Sequence, residues 1–173
     1  PGSTPKRCAT TSPTGTISQG RAMPRLLSRP QISRVNARHL LDDLASSYSY
    51  SLNEAVLVEL IANSLDAHCT NVQIDVNPKT SSLSVTDDGS GMAPDEFEQY
   101  HDLAESRKVR GSGIGFAGLG AKLGHKVSRS VATETRSEGH RDSSEWALKR
   151  NDLEWRHTRS RSLKHDGTKV TLT

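Results

Sequence analysis

The sequence predicts an α+β fold, a two-layer sandwich with helices on one face of a mixed, mainly antiparallel sheet. Three features of the 173-residue chain carry that expectation. A capped, strongly apolar helical segment occupies residues 52–68, and two alternating runs joined by a short turn follow it. Several segments rich in branched residues then come after "GSGIGFAGLGAKLG", Gly111 to Gly124, which holds six glycines. With 32% hydrophobic residues there is material for one modest domain and unstructured segments, not for two cores.

Residues 1–30 read as a disordered basic arm, rich in Ser, Thr, Pro and Arg and without hydrophobic period. Residues 1–41 hold seven Lys/Arg and no acid, so the net charge of +3 belongs to the arm and the remainder is net acidic. Three origins compete for it: a cloning remnant beginning at Pro1-Gly2-Ser3, an organelle transit segment, or a weak nucleic-acid arm. No stretch approaches the roughly 20 apolar residues of a membrane span, and no signal peptide opens the sequence. Cys8 and Cys69 have neither CxxC nor Cys/His spacing, which argues against a disulfide framework or zinc site. The expectation is a soluble intracellular protein, cytoplasmic or nuclear, with an organelle address as the alternative.

The ordered domain is assigned to residues 31–173. "VNARHLLDDLASS" predicts a short amphipathic helix. Ser51 and Glu54 then stand in capping-box spacing and open a helix from about Leu52 to His68. Its aliphatic residues point in nearly every direction, which predicts burial on most sides. Glu59, Asn63 and Asp66, spaced i, i+4, i+7, form one polar stripe with apolar borders, the mark of a site rather than of a solvated face. "NVQIDV", the turn "NPKTSS" and "LSVTDDGSGM" read as an antiparallel pair. Parity puts Leu83, Val85 and Asp87 on one apolar face and turns Asp88 away, while Gly89 and Gly91 bend the chain beside the Asp87 carboxylate. Pro94 starts a helix to about Glu105. After the glycines, "HKVSRSVATET", "SEWALKR", "DLEWRHT" and "TKVTLT" have strand composition.

Two common phosphate loops fail on context. "GIGFAG" satisfies G-x-G-x-x-G, but a dinucleotide loop must follow an apolar strand, and here "HDLAESRKVR" precedes it. A P-loop needs Lys directly after its last Gly, whereas Ala121 separates Gly120 from Lys122.

Taken together, "ELIANSLDA", "DDGSGM", "GFAGLGAKLG" and "DGTKVTL" resemble, in order and rough spacing, the four ATP-site segments of the GHKL superfamily of gyrase, heat-shock chaperone, histidine kinase and MutL ATPases. The resemblance implies the Bergerat sandwich, with ATP between helices and sheet under a flexible lid. It implies that Asn63 holds Mg²⁺ and that Glu59 orients and deprotonates the attacking water. Asp87 would accept the adenine amine, with Thr168 and the Gly91 backbone holding a water beside it and Met92 lining the base pocket. Gly118, Leu119 and Gly120 would offer backbone N–H groups to the phosphates, while Lys122 is either a phosphate partner or a solvated lid lysine. Asp66 would brace the pocket rather than touch ATP.

"ELIANSLDA" looks most like MutL and type IIB topoisomerase sequences, with microrchidia-type and chaperone ATPases close behind; the lid departs from the MutL "GFRGEAL". Such enzymes use ATP to drive lid closure or homodimerisation. Those of gyrase and MutL type take a catalytic lysine from a C-terminal transducer domain, which this chain ends too early to contain. Slow isolated hydrolysis is the expectation, with nucleic acid a partner in a full-length context. The alternatives are histidine-kinase-like phosphotransfer and a non-catalytic nucleotide sensor or adaptor. His39 is too close to Glu59 for the helical hairpin that such kinases use.

Overall fold

Two helices open the fold, each started by a side-chain cap. The computed structural model describes residues 35–102 and 120–173. The arm, Gly118 and Leu119 lie outside the described residues. Helix α1, Ala37–Ser46, begins where Asn36 Oδ1 accepts the His39 N–H. Helix α2, Leu52–Asp66, carries the predicted capping box: Ser51 Oγ accepts the Glu54 N–H, and Glu54 Oε2 accepts the Ser51 N–H at 3.0 Å.

Strands β1, Val72–Asn77, and β2, Ser82–Asp87, form the predicted hairpin, with Ile74 opposite Val85. Helix α3, Pro94–Tyr100, starts at the predicted proline and stops short of Glu105. Helix α4, Gly120–Leu123, runs into a 3₁₀ turn at Gly124–Lys126. The strand expected from His125 therefore begins later, as β3, Val131–Ser137. Gly124 accounts for the difference: its carbonyl accepts the Val127 and Ser128 N–H groups and the Ser128 hydroxyl, so local bonds close the segment into a turn.

Strands β4, His140–Lys149, β5, Asp152–His157, and β6, Gly167–Leu172, complete a six-stranded sheet in the order β1-β2-β6-β3-β4-β5. The α+β sandwich is as predicted, but all five pairings are antiparallel, so the sheet is not mixed. Short turns explain most of this. Glu138 and Gly139, both at positive φ, form the two-residue link between β3 and β4, where a right-handed strand twist favours that geometry.

One sheet face carries the core. Val85, Val131, Trp146, Val170 and Leu172 meet Val56 and Leu60 of α2 and Ala121 and Leu123 of α4. Full burial of each large side chain contributes about 1.5–3 kcal/mol. Helix α3 docks through His101, whose ring stacks on Trp155 at 3.8 Å and whose nitrogens lie 2.8 Å from the Phe97 carbonyl and 2.7 Å from Ser144 Oγ.

Helix α2 is less enclosed than its composition predicted. Ala55, Val56, Glu59, Leu60, Ala62 and Ser64 are buried, but Val58 is 49% and Leu65 47% exposed. The aliphatics outnumber the positions that one sheet can cover, and the surplus faces outward. The polar stripe, by contrast, lies near the middle of the buried arc.

To travel from β5 to β6 the chain must cross β4 and β3, and the helices cover one route. Residues 158–166 take the other face. There Ser143 accepts from Thr158 and Ser160, and Glu134 accepts from Ser160, Ser162 and Leu163.

Candidate functional site

A cavity of about 320 Å³ opens between α2, the end of β2, α3, α4 and the start of β6. It brings together six of the sequence-predicted residues: Asn63, Asp87, Gly91, Met92, Lys122 and Thr168. Its remaining wall is largely apolar, through Leu60, Val85, Tyr100 and Val170, and its size and lining suit a small-molecule site.

Asp87 ends β2 on the core face, as parity required, and is 9% exposed. Three donors hold its carboxylate. Ser64 Oγ donates to Oδ2 at 3.0 Å, while the Gly89 and Thr168 N–H groups donate to Oδ1 at 3.0 and 3.1 Å. An ionised carboxylate has about four acceptor directions, so one remains for a ligand donor. Its neighbour Asp88 faces outward and accepts four bonds from Thr70 and Asn71. The side chain of Asn71, then its N–H and the Thr70 hydroxyl, keep the Asp88 carboxyl well below the usual range. The two adjacent acids have thus separated into a brace and a cavity group.

The glycines beside Asp87 are set by space as well as by φ. Gly91 has φ +67°, and a Cβ there would collide with the Arg136 carbonyl. Gly167 has φ +144°, and a Cβ there would collide with the Asp87 carbonyl. Few side chains tolerate either conformation. Close approach lets the Met92 N–H donate to Thr135 Oγ1 at 2.8 Å and brings the Thr168 N–H to Asp87.

Asn63 and Asp66 of the polar stripe line the cavity, and Glu59 stands one turn back, outside the lining. Glu59 is 6% exposed and accepts the Tyr48 hydroxyl at 2.9 Å. Lys122 is 1% exposed and donates to the Asp102 carbonyl, so the alternative of a solvated lid lysine does not hold. Its short helix has folded inward through Ala121 and Leu123, carrying the ammonium to the cavity wall. Gly120 is the first residue of α4.

Ser64, Tyr48 and Thr135 escaped sequence reading, as did Glu96, Gln99 and Tyr100 of the cavity lining. Ser64 lies next to Asn63 but on another side of α2, and only the fold brings it to Asp87, 23 residues away. Tyr48 and Thr135 bear no motif.

Among the described residues no cluster of three or more His, Cys, Asp or Glu could hold a metal ion. A single protein ligand, the Asn63 amide oxygen, is compatible with Mg²⁺, which keeps several waters and takes further ligands from substrate phosphates.

The protein is an α+β sandwich with a carboxylate-floored cavity between helices and sheet, and comparison with family models supplies its class. Residues 50–168 match the model described as histidine kinase-, DNA gyrase B-, and HSP90-like ATPase. The match spans well over half of the chain, and the protein belongs to this family: it is an ATP-binding domain of GHKL type. No match was found among curated proteins.

Proposed function

We propose that this domain binds Mg-ATP in the cavity and hydrolyses it, as one part of a larger conformational machine of MutL, topoisomerase, microrchidia or chaperone type. The observation that carries the reading is the Asp87 carboxylate, held by three donors with one acceptor direction open to the cavity that also receives Asn63 and Lys122. An adenine amine is the donor it would take. Met92 would pack on the base, and Thr168 and the Gly91 backbone would hold a water beside it.

Asn63 would hold Mg²⁺ through its side-chain oxygen. The bound ion supplies charge neutralisation of the phosphate oxygens. Lys122, with the N–H groups of Gly118, Leu119 and Gly120, would receive the phosphates. Glu59 would accept a proton from water as its oxygen bonds to the γ-phosphorus and the bridging P–O bond breaks, releasing ADP. ATP would drive lid closure or dimerisation, and a transducer domain would supply a further lysine.

Calorimetric titration with Mg-ATP tests this reading. Wild type binds, Asp87→Asn loses binding, and Glu59→Ala keeps binding while losing turnover. A folded wild type without ATP binding overturns it. The position of Glu59 outside the cavity lining favours a second reading, a nucleotide sensor without turnover. That reading is selected if wild type binds Mg-ATP and shows no measurable hydrolysis.

A further inference from the structure

The crossover between β5 and β6 has a chemistry that the nucleotide site does not use. Its inward side is anchored on a buried carboxylate. Glu134, 6% exposed, accepts the Ser160 and Ser162 hydroxyls at 2.7 and 2.8 Å and the Leu163 N–H at 2.9 Å. Ser143, its cross-strand partner, accepts the Thr158 hydroxyl at 2.9 Å and the Ser160 N–H at 3.1 Å. Arg136 donates to the Lys164 carbonyl and stands 3.2 Å from Asp166, which closes the far end.

The Ser160 and Ser162 hydroxyls bond to Glu134, and Arg159 and Arg161 alternate with them along the chain. Arg159, Arg161 and Lys164 are all exposed. None of the three forms an ion pair among the described residues, and from Arg156 to His165 there are four Lys/Arg and no acid. Glu134 does not neutralise them by direct pairing, because its bonds go to hydroxyl and amide donors. Two residues of extended chain span about 7 Å, so Arg159 and Arg161 present two guanidinium forks in a row.

The wider charge distribution agrees. Residues 35–102 carry twelve acids against two Lys/Arg, whereas residues 120–173 carry twelve Lys/Arg against seven acids. The net acidity of the folded part is therefore concentrated in its first half.

We propose that residues 158–166 are a docking surface for the phosphodiester backbone of a nucleic acid, held in an open row by Glu134. An acidic protein segment would offer the same charge, but protein interfaces draw much of their affinity from apolar anchors in pockets. This sheet face lacks them. The exposed large apolar residues of the strands, Ile74 and Val76, lie opposite Val85 and Leu83 and so face the helix side. Beside the crossover the sheet presents Thr86, Lys169, Ser84 and Thr171. Such a surface binds through charge and polar contacts alone, as backbone recognition does.

The test is fluorescence anisotropy of a labelled DNA duplex titrated with the full chain across a salt series. Arg159→Ala/Arg161→Ala/Lys164→Ala is compared with wild type and with an arm variant in which Lys6, Arg7, Arg21, Arg25 and Arg29 become Ala. The crossover variant is expected to bind at least about tenfold more weakly near ~0.1 M salt, with the log–log salt slope reduced by about 2–3. Unchanged thermal melting and Mg-ATP titration show that the variant is folded. The proposal fails if affinity and slope are unchanged, if only the arm variant loses binding, or if a poly-glutamate peptide binds this surface more tightly than the duplex. Mg-ATP binding is read separately, so failure here leaves the nucleotide reading untouched.

Discussion

Ser64 Oγ donates to Asp87 Oδ2 at 3.0 Å, joining the last turn of α2 to the end of β2. Both residues are buried, and the same hydroxyl stands 3.1 Å from the Leu60 carbonyl. Ser64→Ala removes a donor from a buried carboxylate, and hydrogen bonds to charged groups contribute about 1.5–3 kcal/mol. Urea unfolding should show a loss of that order, and calorimetry a weaker Mg-ATP affinity. Wild-type values in both measurements would remove Ser64 from the site.

Tyr48 holds Glu59 through a 2.9 Å hydrogen bond. Burial first, and then the Glu59 carboxylate, push the phenol well above its ordinary value, so it remains a donor throughout the working pH range. Tyr48→Phe removes this hydrogen bond without touching the cavity lining. Turnover is expected to change several-fold while Mg-ATP affinity stays the same. A change in affinity without a change in turnover would contradict the role proposed for Glu59.

Gly167 and Gly139 both lie at positive φ, but only Gly167 would meet the Asp87 backbone on gaining a Cβ; Gly139 has open space. Gly139→Ala should cost about 1–2 kcal/mol of backbone strain. Gly167→Ala adds a collision inside the site and should cost clearly more, with loss of Mg-ATP binding. Equal denaturation midpoints for the two variants would show that the collision relaxes freely.

His125 packs edge-on against Trp146 at 4.8 Å, and neither of its ring nitrogens has a hydrogen-bond partner. Burial holds its pKa down to about 4, against 6.5 in the unfolded chain. Between those values the unfolded chain binds the extra proton, so stability falls as pH drops from 6.5 toward 4, by about 3 kcal/mol in all. Glu134 acts in a lower window. Burial alone would raise its carboxyl, but the Leu163 N–H and the two serines outweigh it and lower the net value, so its contribution is lost as pH falls below about 4.5. Denaturation midpoints of wild type and His125→Phe across pH 4–7 check the first effect, and the variant should give the flatter curve. Parallel curves would exclude His125 as its source.

Much of the site was legible because it is written in local periodicity. The Ser51–Glu54 box set the start of α2, and the i, i+4, i+7 spacing put Glu59, Asn63 and Asp66 on one stripe. Alternation of Leu83, Val85 and Asp87 turned that acid toward the core and its neighbour out to Thr70 and Asn71. Each of these depends on residues within a few positions of one another, where helix and strand geometry alone decides direction.

What the tertiary structure decided depends on partners far apart in the chain. Ser64 reaches Asp87 only when α2 has docked on the sheet, and Tyr48 reaches Glu59 only when the α1–α2 connection has folded back on α2. Lys122 was equally consistent with solvent until the packing of Ala121 and Leu123 took its short helix inward. Segment 125–130 had strand composition, yet the Gly124 carbonyl drew it into a turn. The route of residues 158–166 followed from strand order, since a chain leaving β5 for β6 must cross two strands and found one face already covered by helices. Composition carries no record of strand order; it is set by which pairings bury the most surface together.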